Sequence, residues 1–202
     1  AKRASAPAQI NIPRDMWTQV IDIDLPAMVE FERPSGGDKA ILEAAEMLSS
    51  STNPVILNGA GVVLSEGAIE ASKALAERLD AAVCVGYQHN DAFPGSHPLF
   101  SGPLGYNGSK AAMELIKDAD VVLCLGTRLN PFSTLPGYGI DYWPQNAKII
   151  QVDINPDRIG LTKKVSVGIV GDAAKVADKI LDELSDNACL LYTSDAADDS
   201  QC

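Results

Sequence analysis

The chain has 202 residues, of which 46% are hydrophobic and only 5% aromatic, and its formal net charge is −11. That length suits one compact domain with attached segments, and the acidic balance excludes a face for nucleic-acid phosphates, which needs clustered basic residues. No apolar run reaches the roughly 18 residues of a membrane span, and no apolar stretch follows Lys2 and Arg3 as it would in a secretory leader, so no membrane partner and a cytoplasmic location are expected.

In chain order, 6–13 reads as a strand with no partner nearby, and 16–37, with Pro26, Pro34 and the Gly36-Gly37 pair, reads as a linker. Asp38 is a plausible N-cap for a helix carrying Ile41, Ala44, Ala45 and Leu48 on one face. The apolar run from Pro54 to Asn58 stops at Gly59 and predicts a buried strand. A second helix is expected after Ser65, with Ala68, Ala71, Leu75 and Leu79 at helical spacing, and Ala82 to Val85 is a second strand ending at Gly86. Ser109 should cap a helix that buries Ala112, Leu115, Ile116 and Ala119. Val121 to Leu125, Lys148 to Asp153 and, more weakly, Val167 to Val170 follow as strands. Asp172 then opens the cleanest amphipathic helix, with Val176, Ala177, Ile180, Leu181 and Leu184 on one stripe.

Strands that are apolar on both faces and alternate with helices pair in parallel under helical cover. The fold class is therefore α/β, a Rossmann-like open parallel sheet with helices on both faces; the order of its strands is not readable. Two connections, Gly86 to Gly108 and Gly126 to Asn146, exceed the usual length of a structureless loop. Their aromatic residues, among them Tyr87, Phe93, Tyr106, Phe132, Tyr138, Tyr142 and Trp143, argue that both are folded and line a site or an interface. Cys84 and Cys124 sit in apolar runs and behave as small buried hydrophobes. No Cys-x-x-Cys or Cys/His cluster supports a disulfide framework or a metal site.

Four places offer chemistry at strand ends. Gly59-Ala60-Gly61 suits either backbone approach to a phosphate or plain turn formation. Gly126-Thr127-Arg128 places a cation where a diphosphate would lie or where a surface ion pair would form, and Asp153 suits a ribose hydroxyl or a turn cap. For Asn155, before Pro156, capping is the favoured role. The stretch Gln88-His89-Asn90-Asp91 is too polar to be explained by a turn alone and reads as lining a substrate pocket, whereas His97, fixed before Pro98, reads as structural. No nucleophile-plus-base triad or paired carboxylates appear, so no catalytic residue is assigned.

The order of these pieces resembles the central domain of thiamine-diphosphate enzymes related to acetolactate synthase. The resemblance spans about 38–187 and is carried by Pro54 to Gly61, Phe93 to Leu99, Gly102 to Gly105, Ala119 to Val122, Gly126 to Arg128 and Val152 to Pro156. It implies that 1–15 is the end of an N-terminal pyrimidine-binding domain and 16–37 a linker. The segment 188–202 resembles a translated sequencing adaptor and reads as a non-native tail. Within the family, Gly86 to Asp91 and Asn130 to Pro144 resemble an acyltransferase branch. Such an enzyme would convert sulfoacetaldehyde and phosphate to acetyl phosphate and sulfite. A decarboxylating enzyme of the acetolactate-synthase type and a non-catalytic nucleotide-binding module are the alternatives. The resemblance further implies thiamine diphosphate and magnesium held by domains other than this one, and a dimer or tetramer. In some relatives it implies FAD or ADP at Gly59, Gly61, Thr127, Arg128 and Asp153. Gly171-Asp172-Ala173 is not the family's magnesium motif, since no Asn pair follows it.

Overall fold

The computed structural model describes residues 9–184 except 28 and 30, and the expected non-native tail lies outside them. The chain divides into two units, 1–33 and 34–202. In the first, the strand expected over 6–13 lies outside the described residues over 6–8 and forms no strand over 9–13, since a strand exists only where a neighbour completes its ladder. A single 3-10 turn, Arg14–Thr18, follows it, and no described residue of this unit is buried.

The second unit begins ahead of Asp38, because Ser35 bridges Gly171 and the Pro34 carbonyl accepts the Asp172 N–H at 2.7 Å. Residues expected to be linker thus belong to the domain. Its elements are α1 (Asp38–Ser49), β1 (Pro54–Asn58), α2 (Ala60–Val63), α3 (Ala68–Leu79), β2 (Ala82–Val85), β3 (Phe100–Pro103), α4 (Lys110–Lys117), β4 (Val121–Leu125), α5 (Pro131–Thr134), β5 (Lys148–Asp153), β6 (Val167–Val170) and α6 (173–184). All six strands are parallel, in the order β3-β2-β1-β4-β5-β6. This is the doubly wound order, which reverses direction between β1 and β4 and opens a crevice at their carboxyl ends.

The strands are apolar on both sides because each side has its own cover. Ile56, Val83, Leu123, Leu125, Ile150 and Val152 face α1, α3 and α6, with Ile41, Leu48, Leu75, Val176 and Ile180 against them. Val55, Leu57, Cys84, Val122, Cys124 and Ile149 face α4 together with Tyr142 and Trp143. The two cysteines are thus buried thiols, and burial pushes the Cys84 thiol up to about 12, away from reactivity.

Two expectations need correction, the unbroken connection after β2 and the cap of α1. The connection from Gly86 to Gly108 is interrupted by β3, whose Phe-Ser-Gly-Pro sequence has turn composition; Pro103 is tolerated because β3 is an edge strand. The helix expected after Ser65 is α3, which starts at Ala68 behind Gly67 and carries Ala71, Leu75 and Leu79 as expected; the short α2 precedes it, and the Ser65 hydroxyl donates to Asp172 Oδ1 at 2.6 Å. Asp38 is the first residue of α1 rather than its cap, and its carboxylate pairs with Lys179 at 3.0 Å. Ser109 and Asp172 cap as expected, accepting the N–H groups of Ala112 and Ala174 respectively.

At the amino ends of the strands, Asp120 ties β4 to the turn before β1. It accepts from the Ser51 hydroxyl, from the Thr52 N–H at 2.8 Å and hydroxyl at 3.0 Å, and from the Asn53 N–H at 3.1 Å. Burial raises its pKa, but these donors outweigh burial and hold the carboxyl well below the usual range. A carboxyl depressed on folding stabilises the fold above its unfolded pKa of about 4 and loses that contribution as the pH falls through the folded value. Asp120→Asn should therefore lower stability at neutral pH, by no more than about 1 kcal/mol because solvent screens this partly exposed carboxylate. In urea melts at several pH values, the gap between the two proteins should narrow steadily below about pH 4.

Candidate functional site

At the crevice, the chain leaving β1 and the chain leaving β4 run against each other. Gly59 N–H donates to the Leu125 carbonyl at 3.0 Å and Gly61 N–H to the Gly126 carbonyl at 2.8 Å. A Cβ at Gly59 would lie 2.5 Å from Thr127 Cβ, and one at Gly61 would lie 2.6 Å from Gly126 Cα. Gly126 itself has φ +61, open to glycine at little cost. The glycines expected at a phosphate site are therefore demanded first by backbone contact, and the Gly61 amide already has its acceptor.

The other crevice residues are arranged around a buried amide that sequence reasoning missed. Gln151 is 1% exposed; its Nε2 donates to the Thr127 carbonyl at 3.1 Å and the Arg158 carbonyl at 3.3 Å, and its Oε1 accepts the Gly160 N–H at 2.9 Å. One side chain thus joins the turn after β4 to the turn after β5. Thr127 is buried, its hydroxyl accepting the Leu129 N–H at 3.3 Å. Arg128 is exposed and makes no ion pair among the described residues, so the surface-pair reading is not what the structure shows. Asp153 Oδ1 accepts the Asn155 N–H at 2.8 Å. Burial raises its pKa, opposed by that hydrogen bond and by the charges of Arg158 and Arg128. Asn155 caps the 3-10 turn Pro156–Arg158, accepting the Asp157 N–H at 3.0 Å, as favoured from the sequence.

The loop carrying Gln88, His89, Asn90 and Asp91 leaves β2 and is secured at both ends by Asn58, the last residue of β1. The Asn58 carbonyl accepts the Gly86 N–H at 2.8 Å, and its buried side-chain amide donates to the Ala92 carbonyl at 3.0 Å. Ser72 on α3 locks that amide, at 2.8 Å from Nδ2 and 3.1 Å from Oδ1. Gln88, Asn90 and Asp91 are exposed and His89 is half-buried. His97 is structural, as its position suggested: Nδ1 accepts the Leu99 N–H, which leaves the proton on Nε2 to meet Glu77 at 3.2 Å, and the ring packs edge-on to Phe93.

Both long connections are folded, and they are clasped together. Tyr87 N–H donates to Ser133 Oγ at 2.9 Å, and Tyr106 N–H donates to the Phe132 carbonyl at 3.0 Å. Asn130 caps α5 by accepting the Ser133 N–H at 3.1 Å. The Tyr87 ring stacks on Phe132 at 5.8 Å and meets Tyr106 edge-on at 6.5 Å. The Tyr142 hydroxyl is buried beside the Gly105 backbone, outside hydrogen-bonding geometry, and burial pushes it up to about 12. Phe132 and Tyr106 remain 63% and 67% exposed, leaving an aromatic rim beside the polar loop.

The structure therefore gathers the predicted residues into two neighbouring sets at the carboxyl end of the sheet, with Asn58 and Gly59 between them. Asn58 and Gln151 had one signal in the sequence: each is a polar residue inside an apolar strand run. Among the described residues, no three His, Cys, Asp or Glu side chains are gathered to hold a metal ion. Asp172 is committed to capping α6, accepting the Ala174 and Lys175 N–H groups. These residues do not fit a magnesium–diphosphate site. No helix among the described residues is long and apolar enough to cross a membrane.

Residues 41–180 match the family described as thiamine pyrophosphate enzyme, central domain. The chain is 76% identical over 188 residues to a sulfoacetaldehyde acetyltransferase of Roseovarius nubinhibens, covering 93% of this chain and 31% of that protein. It is 53% identical to the sulfoacetaldehyde acetyltransferase of Castellaniella defragrans (89% and 30%). Identity is 36% to a probable acetolactate synthase large subunit of Methanocaldococcus jannaschii (87% and 30%). The chain thus spans about a third of the length of the curated relatives it matches. Among solved structures, benzoylformate decarboxylase from Polynucleobacter necessarius shares the fold, with a TM-score of 0.68 and 24% identity, covering 84% of this chain and 31% of that one.

The glycine contacts at the crevice are testable directly. Gly61→Ala should destabilise the domain by about 1–3 kcal/mol, because a methyl group there meets backbone that cannot step aside. Chemical denaturation should show the loss as a lower midpoint at an unchanged slope; a midpoint equal to that of the unsubstituted chain would contradict it.

Proposed function

The chain belongs to the thiamine pyrophosphate enzyme family through its central domain, and from that premise we propose that it is part of an acyltransferase converting sulfoacetaldehyde and phosphate to acetyl phosphate and sulfite. The observation that carries this reading is the 70–76% identity to sulfoacetaldehyde acetyltransferases over more than nine-tenths of the chain, both clasped connections included. Relatives described as acetolactate synthase large subunits fall to 36% or below. Membership of an enzyme family also argues against the non-catalytic nucleotide-binding module.

Thiamine diphosphate with magnesium would supply the carbanion chemistry, held by parts of the polypeptide other than these residues. The role of this domain is recognition. Both co-substrates are anions, and the unpaired donors of Gln88, His89 and Asn90 stand on a loop that Asn58 and Ser133 hold still. The exposed apolar rim of Tyr106, Phe132, Leu135 and Tyr138 is the surface that a further domain of the same polypeptide would cover in the assembled homo-oligomer. The full-length polypeptide should release sulfite from sulfoacetaldehyde only when thiamine diphosphate and phosphate are both present. Acetolactate formed from pyruvate in place of sulfite would favour the acetolactate-synthase alternative.

A nucleotide such as FAD or ADP at the crevice is a second proposal, resting on the doubly wound strand order and on the unpaired Arg128 beside Asp153. Arg128 would meet the diphosphate and Asp153 a ribose hydroxyl, with Thr127 and the Gly59–Gly61 turn beneath them. ADP titrated into the chain by calorimetry should bind about tenfold more weakly after Arg128→Ala, the loss expected for one charge-assisted contact. Absence of heat with either nucleotide would remove this part of the reading.

A further inference from the structure

The loop after β2 closes with a hydrogen bond from the His89 N–H to the Gly86 carbonyl at 3.1 Å, which makes Gly86 to His89 a four-residue turn. Its third residue, Gln88, has φ +70, while Tyr87 does not have positive φ. That is the pattern of a type II turn, whose third position is normally glycine because a side chain there is strained. A second turn follows at once, the Ala92 N–H donating to the His89 carbonyl at 3.0 Å. Neither end can relax the strain. Gly86 and Ala92 are both held by Asn58, and Tyr87 is held by Ser133 Oγ. The Gln88 side chain, exposed, has no hydrogen-bond partner among the described residues, so it contributes nothing visible to folding. A strained side chain on an over-determined backbone, with no structural partner, points to recognition of something outside the chain.

We propose that Gln88 is a specificity-determining residue whose amide N–H groups are aimed by the strained turn at a tetrahedral oxyanion, the sulfonate of the aldehyde or inorganic phosphate. The inference rests on the acyltransferase reading and refines it. A carboxamide donates to such an oxygen without adding charge beside Asp91, and Tyr87, the residue before it, has its ring stacked on Phe132. Glycine at this position would make the same turn without strain. The turn alone therefore does not account for glutamine.

The test compares the full-length polypeptide with Gln88→Gly and Gln88→Asn variants. Gln88→Gly keeps the turn and removes the amide; its melting temperature should be equal or higher, while KM for one anion rises about tenfold with kcat little changed. Gln88→Asn, which also tolerates positive φ, should give an intermediate KM. A rise confined to the sulfonated aldehyde, matched by weaker competitive inhibition by 2-hydroxyethanesulfonate, identifies the sulfonate; a rise confined to phosphate identifies the acceptor. If both KM values stay within about twofold, or only kcat falls, the inference is overturned. If the unsubstituted polypeptide releases no sulfite at all, the functional reading itself fails, and this refinement with it.

Discussion

The carboxyl end of this sheet depends on how closely two backbones pass. Gly61 and Gly126 meet with no room for a methyl group on either, and only at that separation does Gly61 N–H reach the Gly126 carbonyl. The contact draws the first turns after β1 and β4 together exactly where strand order reverses. Everything presented there inherits its position from it: Thr127 and Arg128 follow Gly126 directly, and Asn58 precedes Gly59 by one residue. A crevice in an open parallel sheet is usually pictured as a gap waiting for a ligand. In this chain its floor is a closed protein contact, and the functional groups stand along its walls.

The walls are built by buried amides doing the work that secondary structure cannot. Asn58 and Gln151 both lie inside the sheet, where an unpaired amide would cost about 1–3 kcal/mol, and each is satisfied by loop backbone. Asn58 reaches towards β2 and fixes the polar loop; Gln151 reaches from β5 and fixes the turns bearing Arg128 and Arg158. Because each amide joins segments far apart in sequence, the loops are rigid without being helical or extended. Rigidity of this kind lets exposed polar groups remain unpaired and still be precisely placed, which lowers the ordering cost when a ligand arrives.

The sequence made some of this legible and concealed the rest for physical reasons. Strands buried on both faces announce themselves as continuous apolar runs, so β1, β2, β4 and β5 were readable to the residue. The edge strand β3 was not, since an edge tolerates the Gly and Pro that otherwise signal turns. The caps at Ser109, Asn155 and Asp172 were visible because capping is local chemistry. The purpose of the glycines was ambiguous: turn, phosphate contact and backbone crossing all select the same residue, and only the partner strand distinguishes them. Strain at Gln88 left no mark, since positive φ there is imposed by anchors 30 residues before it, at Asn58, and 45 after it, at Ser133.

One tension remains between the composition and the proposed chemistry: a chain of net charge −11 is asked to receive two anions. Distance resolves it. Charges beyond about 8 Å are screened at physiological ionic strength, and acidic residues such as Glu43, Glu70 and Glu114 stand exposed on helices rather than on the turns after the strands. What an incoming oxyanion feels is the local set, and that set is mixed. Burial keeps the Asp153 carboxyl above its ordinary range while the charges of Arg158 and Arg128 oppose that rise, and Lys110 is held over the Tyr138 ring at 5.1 Å. Beside the polar loop the only fixed charge of the four-residue set is negative, at Asp91, and a ligand oxyanion there must be met by neutral donors. A neutral amide forced into place by strain satisfies that demand where a lysine would instead pair with Asp91 and fold back on the surface. On the proposed reading, selectivity would rest on a few neutral donors whose positions the turns after the strands determine.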